Sequence, residues 1–275
     1  KAFRAGMQYQ ESLSNRDVGT CILSISDLHI PFQKPIETFS EYAGKIDILQ
    51  VNGDLVDAQA ISRFNKVYRK SPMEEILIAR HYLFDLIELR QPKKVVGNYG
   101  NHDLRFQNYL AKNLDTDLLE LMPKTSLELI FVDGFNHYNK ELHTKVHYDP
   151  LIDVFKDSGI EIVYNDTWFS FVGETIFVHP LAYSSGMLKT AEKAYRYFKD
   201  NDYFFDTIVM AHTHKTGHYD IGNSVIYEQG CCCETSKMDY ADGKLTPSQR
   251  EGFILVYQDR FGRLNEDKTH IVRLN

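Results

Sequence analysis

Basic residues are the scarcer charge in this chain: 31 Lys and Arg stand against 38 Asp and Glu, a formal net charge of −7 at pH 7. A broadly basic surface, the kind that neutralises nucleic-acid phosphates, is therefore excluded, although a local basic groove stays open. Cysteine is scarce as well, with four in 275 residues. Cys21 stands alone in an apolar run, and Cys231, Cys232 and Cys233 are consecutive. Adjacent cysteines rarely pair, and no CxxC spacing is present, so neither a disulfide framework nor a zinc spacing is read here, with a redox or accessory metal role as the alternative to simple burial. Buried free thiols in a reducing, cytoplasmic compartment are the expectation. No apolar run approaches the roughly 20 residues that span a bilayer, and no signal peptide is read at the start, so no membrane partner is expected. Eight Pro and 16 Gly leave no room for a collagenous or low-complexity chain. What remains, 43% apolar and 25% charged, suits one α/β domain with a large core.

Apolar, β-branched runs predict buried strands at 20–26 and 46–51, and a short strand at 93–97 after Pro92. Between the last two, Ser71-Pro72-Met73-Glu74 reads as a capping box with Pro at the first helical position, opening a helix over 72–89. The alternation predicts parallel βαβ units. A helical pattern follows over 104–121 and stops at Pro123. The stretch 124–159 is polar in patches, with a helix at about 150–156. Strands at 160–164, 167–172 and 175–178 are separated by Asn165-Asp166 and Gly173-Glu174, read as tight hairpins. A helix over 187–199, then strands at 207–210, 219–220, 224–228, 252–257 and 270–274, complete a second half expected to be largely antiparallel.

Five stretches place oxygen and imidazole side chains directly after these apolar runs: Asp27-Leu28-His29, Gly53-Asp54-Leu55-Val56-Asp57, Gly100-Asn101-His102-Asp103, His179, and His212-Thr213-His214. Residues two apart on an extended strand end project to one side, so Asp27 and His29 form one pair and His212 and His214 another. In parallel sheets ligands gather beyond the carboxyl ends of strands, where these stretches fall. Carboxylate, amide and imidazole donors without sulfur suit Mn, Fe, Zn or Ni.

Taken together the five stretches resemble the calcineurin-like metallophosphoesterase signature, D-x-H, G-D-x-x-D, G-N-H-[DE], a lone His, and G-H-x-H. The resemblance implies a four-layer αββα sandwich of two mixed β-sheets flanked by helices, a single domain over 1–275 with a variable insertion at about 124–159 covering one side of the site. It implies two divalent metal ions, Mn first among the candidates. One would take Asp27, His29, Asp54 and His214; the other would share Asp54 and take Asn101, His179 and His212. It places His102 as general acid at the leaving group, with Asp57 beside it to orient the imidazole, and a metal-bridging hydroxide as nucleophile. The departures are Pro180 after the lone His, Ala211 before the last motif, and Ala58 where the protein Ser/Thr phosphatase branch carries a phosphate-gripping Arg.

The expected activity is hydrolysis of phosphate esters, diesters favoured because that Arg is missing. The substrate would be a phosphate ester, with nucleotides and nucleic acids among the candidates. The alternatives are a DNA nuclease of the same family, a metal-free scaffold, or a nucleic-acid-binding module; the complete ligand set weighs against the scaffold and the acidity against the module. Asp103 reads as a supporting or turn residue. Arg63, Arg105, Lys215 and His218 flank the motifs and are either substrate contacts or solvated charges. His137, His143 and His147 read as a solvated face, the last two at helical spacing. Tyr195-Arg196-Tyr197-Phe198 reads as packing rather than a base-stacking platform.

Overall fold

The computed structural model describes residues 19–42, 45–63, 70–122, 125–184, 188–238 and 249–274. Two sheets face one another. The first has the order β13-β12-β1-β2-β3-β6 and the second β10-β11-β9-β8-β7. Its strands are β1 Thr20–Ile25, β2 Ile48–Asn52, β3 Lys94–Asn98, β6 Glu161–Asn165, β12 Gly252–Gln258 and β13 His270–Arg273. The second sheet comprises β7 Phe169–Val172, β8 Thr175–Val178, β9 Thr207–Met210, β10 Thr216–Ile221 and β11 Ser224–Gln229, while β4 Phe135–Asn139 and β5 Thr144–Tyr148 pair apart from both.

Three apolar layers follow from the alternation of side chains along these strands. Ile22, Val96, Phe177, Val209 and Ile254 meet between the sheets. Leu23, Leu49, Val95 and Leu255 face outward onto Leu83, Leu86 and Ile87 of the helix Pro72–Arg90. Ile176, Ile208 and Ile226 face outward on the other side, onto Ala191, Ala194 and Phe198 of the helix Lys189–Asp200. This is the expected αββα sandwich. Tyr197 is exposed while Phe198 is fully buried, so the aromatic run packs core and rim as read.

Strands β1, β2, β3 and β6 run parallel, as do β8, β9 and β11. The second half is thus mixed rather than largely antiparallel: the helix Lys189–Asp200 is a crossover that returns β9 parallel to β8. Gly173, at φ +57, makes the expected β7–β8 hairpin. Asn165-Asp166 makes none. There the chain leaves β6, paired to β3, and crosses to the other sheet, because Asn-Asp permits a sharp bend without demanding a two-residue loop.

Other differences are local. Pro72 takes its helical position, but the Ser71 side chain makes no cap bond; the Ser71 carbonyl accepts from the Glu74 and Glu75 amides, leaving no donor for the hydroxyl. The helix expected over 104–121 breaks into Arg105–Ala111 and Thr116–Leu119. Asn113 bonds back to the Tyr109 carbonyl, and Asp115 caps the second piece through the Asp117 amide at 3.1 Å. Met187, expected to start the later helix, lies outside the described residues. His143 and His147 do not share a helix; they lie in the β4–β5 turn and on β5.

Part of the stretch 124–159 is core. Leu127, Ile130, Phe131, Leu151 and Phe155 are fully or almost fully buried in the layer under the first sheet. The Phe131 ring lies where a Cβ on Gly97 would stand, so glycine in β3 makes room for it. Phe131→Ala is expected to cost about 3–5 kcal/mol in urea unfolding; a loss below about 1 kcal/mol would show this segment to be peripheral.

Candidate metal centre

The five motif stretches follow the carboxyl ends of β1, β2, β3, β8 and β9, so both sheets deliver side chains to one end of the sandwich. Asp27, His29, Asp54, His212 and His214 adopt left-handed backbone angles, φ +49, +43, +52, +72 and +52. Such angles cost a non-glycine residue about 1 kcal/mol or more, and the strain turns each side chain into a shared space. Gly53 and Gly100 keep that space open: a Cβ on the first would strike the His179 ring, and on the second the Asp54 carboxylate.

Two groups of donors result. Asp27, His29 and His214 form one; Asp54, His179 and His212 form the other, with the ligand atoms of each group within 4.8 Å of one another. In the first, His214 Nε2 lies 3.1 Å from Asp27 Oδ1 and 3.2 Å from His29 Nε2. In the second, His179 Nε2 lies 3.2 Å from Asp54 Oδ2. Donors bound at about 2.1 Å to one ion in square or tetrahedral arrangement stand about 3.0–3.4 Å apart. The observed spacings fit a divalent cation in both groups.

Hydrogen-bond accounting gives the same answer. His179 Nδ1 faces the Asn52 carbonyl at 2.8 Å and must donate, which leaves Nε2, 3.2 Å from Asp54 Oδ2, as the place for a proton or a cation. Asn101 Oδ1 is buried with no hydrogen-bond partner. Buried polar atoms are seldom left so, and this one belongs to a residue expected to share a cation with His179. The cluster belongs to neither sheet alone.

The groups adjoin through His179, whose Nε2 also lies 3.9 Å from Asp27 Oδ1. Asp54 Oδ1 accepts the His102 backbone N–H at 2.7 Å, while Oδ2 faces His179 and lies 3.9 Å from His102 Nε2. Burial would raise the pKa of Asp54, but the charge of His179 and the hydrogen bond it offers outweigh burial and hold the carboxyl well below the usual range. Asp27 behaves alike through His214 and His179. Conversely, burial would depress His179, and Asp54 and Asp27 push it up to about 9; Asp27 likewise raises His214. His212, buried beside cationic His179, is pushed down to about 4.

Asp57 sits beside His102 as expected, and it also reaches His29. Its Oδ1 is 3.2 Å from His102 Nδ1 and 3.4 Å from His29 Nδ1. Burial opposes its ionisation, and the two imidazoles overcome that, keeping it a carboxylate. Asp103 supports the loop: its carboxylate accepts from the Asp54 and Gly100 amides, both at 2.8 Å, and from Ser126 Oγ at 3.0 Å. Burial and the Asp54 charge push its pKa up to about 7.

The sequence reading missed the polar seam beneath the site. Ser26 donates to Asp27 Oδ2 at 2.7 Å and accepts from Gln229 Nε2 at 2.8 Å, while Gln229 Oε1 accepts from Ser24 Oγ at 3.0 Å. Asn52, Asn98, Gln50 and Ser170 continue the network between the sheets. The available signal was polar residues inside strands otherwise apolar. Of the flanking cations, Arg105 reaches His102 and Asp57, and Lys215 lies over the Tyr183 ring, which meets the edge of His212. The four cysteines are free and buried, as expected.

The match of the calcineurin-like phosphoesterase family model to residues 22–216 places this chain in that family. Among solved structures, an archaeal phosphodiesterase is 14% identical, with 92% of this chain and 99% of that one covered at a TM-score of 0.42. Vacuolar protein sorting 29 from Cryptosporidium parvum is 16% identical, with 94% and 100% covered at 0.42. A metallophosphoesterase from Sphaerobacter thermophilus is 12% identical, with 93% and 88% covered at 0.41. No curated protein matches the chain. Among the described residues no helix is long and apolar enough to cross a membrane.

Proposed function

We propose that this protein is a metal-dependent hydrolase of phosphate esters, working with two divalent cations, Mn foremost, and acting on diesters in preference to monoesters. Asp27, His29, Asp54 and His214 would hold one ion, and Asp54, Asn101, His179 and His212 the other. The observation that carries the reading is the meeting of the two donor groups, where His179 Nε2 lies 3.2 Å from Asp54 Oδ2 and 3.9 Å from Asp27 Oδ1. When bound, such ions supply a cationic field for the phosphoryl group and ionise water near neutral pH.

The chain's own contribution is orientation and proton handling. His102 Nδ1 is 3.0 Å from the Asp57 carbonyl oxygen and 3.2 Å from its carboxylate, both acceptors. That nitrogen therefore holds a proton, and Nε2 is the atom that serves a leaving-group oxygen. Position 58 carries Ala rather than the Arg of the protein Ser/Thr phosphatase branch, which supports the diester preference. Metal-reconstituted protein should turn over bis-p-nitrophenyl phosphate faster than p-nitrophenyl phosphate, with cyclic nucleotides and DNA assayed beside them. The reading fails if none is hydrolysed with Mn, Fe, Zn or Ni bound.

His102→Asn is expected to lower kcat about 10²–10⁴-fold while metal content stays as in wild type. Loss of metal from that variant would make His102 a ligand instead of a proton donor.

A further inference from the structure

We propose that Arg105 is the phosphate anchor of this site, waiting on His102 in the free protein and moving to the phosphoryl oxygens when substrate arrives. The inference rests on the phosphoesterase reading and names how that site grips its substrate.

It starts from the protons on His102. Nδ1 is committed as a donor to Asp57, as above. Nε2 lies 2.9 Å from Arg105 Nη2. A guanidinium has donors only, so Nε2 accepts and His102 here is neutral. The nitrogen needed at the leaving group is thus occupied by a cation. The other arm of the same guanidinium donates to the Asp57 carbonyl, with Nη1 3.8 Å from Asp57 Oδ1.

A neutral imidazole is a weak partner for a group that bonds phosphate oxygens in a charge-assisted, two-pronged manner. His102 Nε2 is itself 3.9 Å from Asp54 Oδ2, a carboxylate of the second donor group. A guanidinium stationed on Nε2 is therefore beside any phosphoryl group held there. Arg105 retains 17% side-chain exposure, enough to meet a ligand without first unburying. It enters from the helix Arg105–Ala111, not from position 58, where the phosphatase branch places its Arg. Its transfer to phosphate both binds the anion and frees Nε2 of His102 to take up a proton from solvent, the proton it then passes to the leaving group.

The test uses metal-loaded protein and inorganic phosphate as probe. Arg105→Ala should weaken phosphate binding by calorimetry, and raise KM for bis-p-nitrophenyl phosphate, by roughly 10- to 150-fold, the worth of a hydrogen bond to a charged group. Metal content should not change, and Arg105→Lys should restore part of the affinity. In wild type, ¹⁵N spectra of His102 should show Nε2 losing its guanidinium partner as phosphate is added. Unchanged phosphate affinity in both variants, with only kcat reduced, would overturn the proposal and make Arg105 a prop for His102 and Asp57. Should wild type hydrolyse no ester while its phosphate affinity still depends on Arg105, the hydrolase reading falls and the anchor stands.

Discussion

Asp54→Asn is expected to stop turnover and release at least one cation. The substitution is a clean probe because Asn tolerates the left-handed backbone that Asp54 adopts at φ +52. It can keep an oxygen for the His102 backbone N–H, now 2.7 Å from Oδ1. What it loses is the negative oxygen facing His179 at 3.2 Å, replaced by an amide that only donates. One of the two carboxylates placed to neutralise bound cations disappears, and the point where the two donor groups meet becomes repulsive to a metal. A fall of roughly 10³-fold or more in kcat is expected, at or beyond the scale of removing one preorganised electrostatic contact. Metal stoichiometry by mass spectrometry should drop below that of wild type. Two retained ions with activity within tenfold of wild type would refute the linking role of Asp54.

How far the site could be read without coordinates follows from which residues permit no substitute. A divalent ion accepts few donor types, so Asp27, His29, Asp54, Asn101, His179, His212 and His214 stood out in order along the chain. Strand periodicity put each after an apolar run, and the structure brings them to one end of both sheets. Supporting residues carry no such signature. Ser26, Gln229, Asn52 and Ser126 act through single hydrogen bonds that many polar residues could make, across separations that only the folded chain closes. Asp57 was expected beside His102, yet its second contact, to His29, depends on how β1 and β2 lie side by side.

The errors in the fold have a similar origin. Whether the chain turns back at Asn165-Asp166 or crosses to another sheet is decided by which strand edge is vacant, and β3 offers β6 an edge that β7 cannot share. Local turn chemistry does not carry that information. The stretch around Phe131 looked like a surface insertion because its polar residues dilute the pattern. Its apolar side chains nonetheless fill a space set by Gly97, a residue on a distant strand.

Cation binding should expel protons, and affinity should climb steeply with pH. In the free protein, His179 Nε2 and Asp54 Oδ2 face each other at 3.2 Å, and His214 Nε2 faces Asp27 Oδ1 at 3.1 Å. Something positive has to hold each pair. Without a metal it is a proton, which is why the carboxylates push His179 up to about 9 and His214 upward against the effect of burial. A cation takes the same place only after those protons leave. With His179 raised to about 9, binding at pH 7 should release at least one proton, and apparent affinity should rise about tenfold per pH unit for each proton lost, levelling off near pH 9 for His179. The sign for stability runs the other way in metal-free protein. A histidine whose pKa is raised by folding stabilises fully below about 6.5, its unfolded value, and that contribution disappears as pH climbs through about 9. The metal-free Tm should therefore fall between pH 7 and 9.5 through this pair of histidines, while the metal-loaded Tm holds, its cations having replaced the protons. Titration calorimetry in two buffers of different ionisation enthalpy measures the release directly. Proton release near zero at pH 7, with an affinity flat from pH 6 to 8, would mean that these imidazoles meet the metal already neutral and that the two Asp–His pairs do not hold protons in its place.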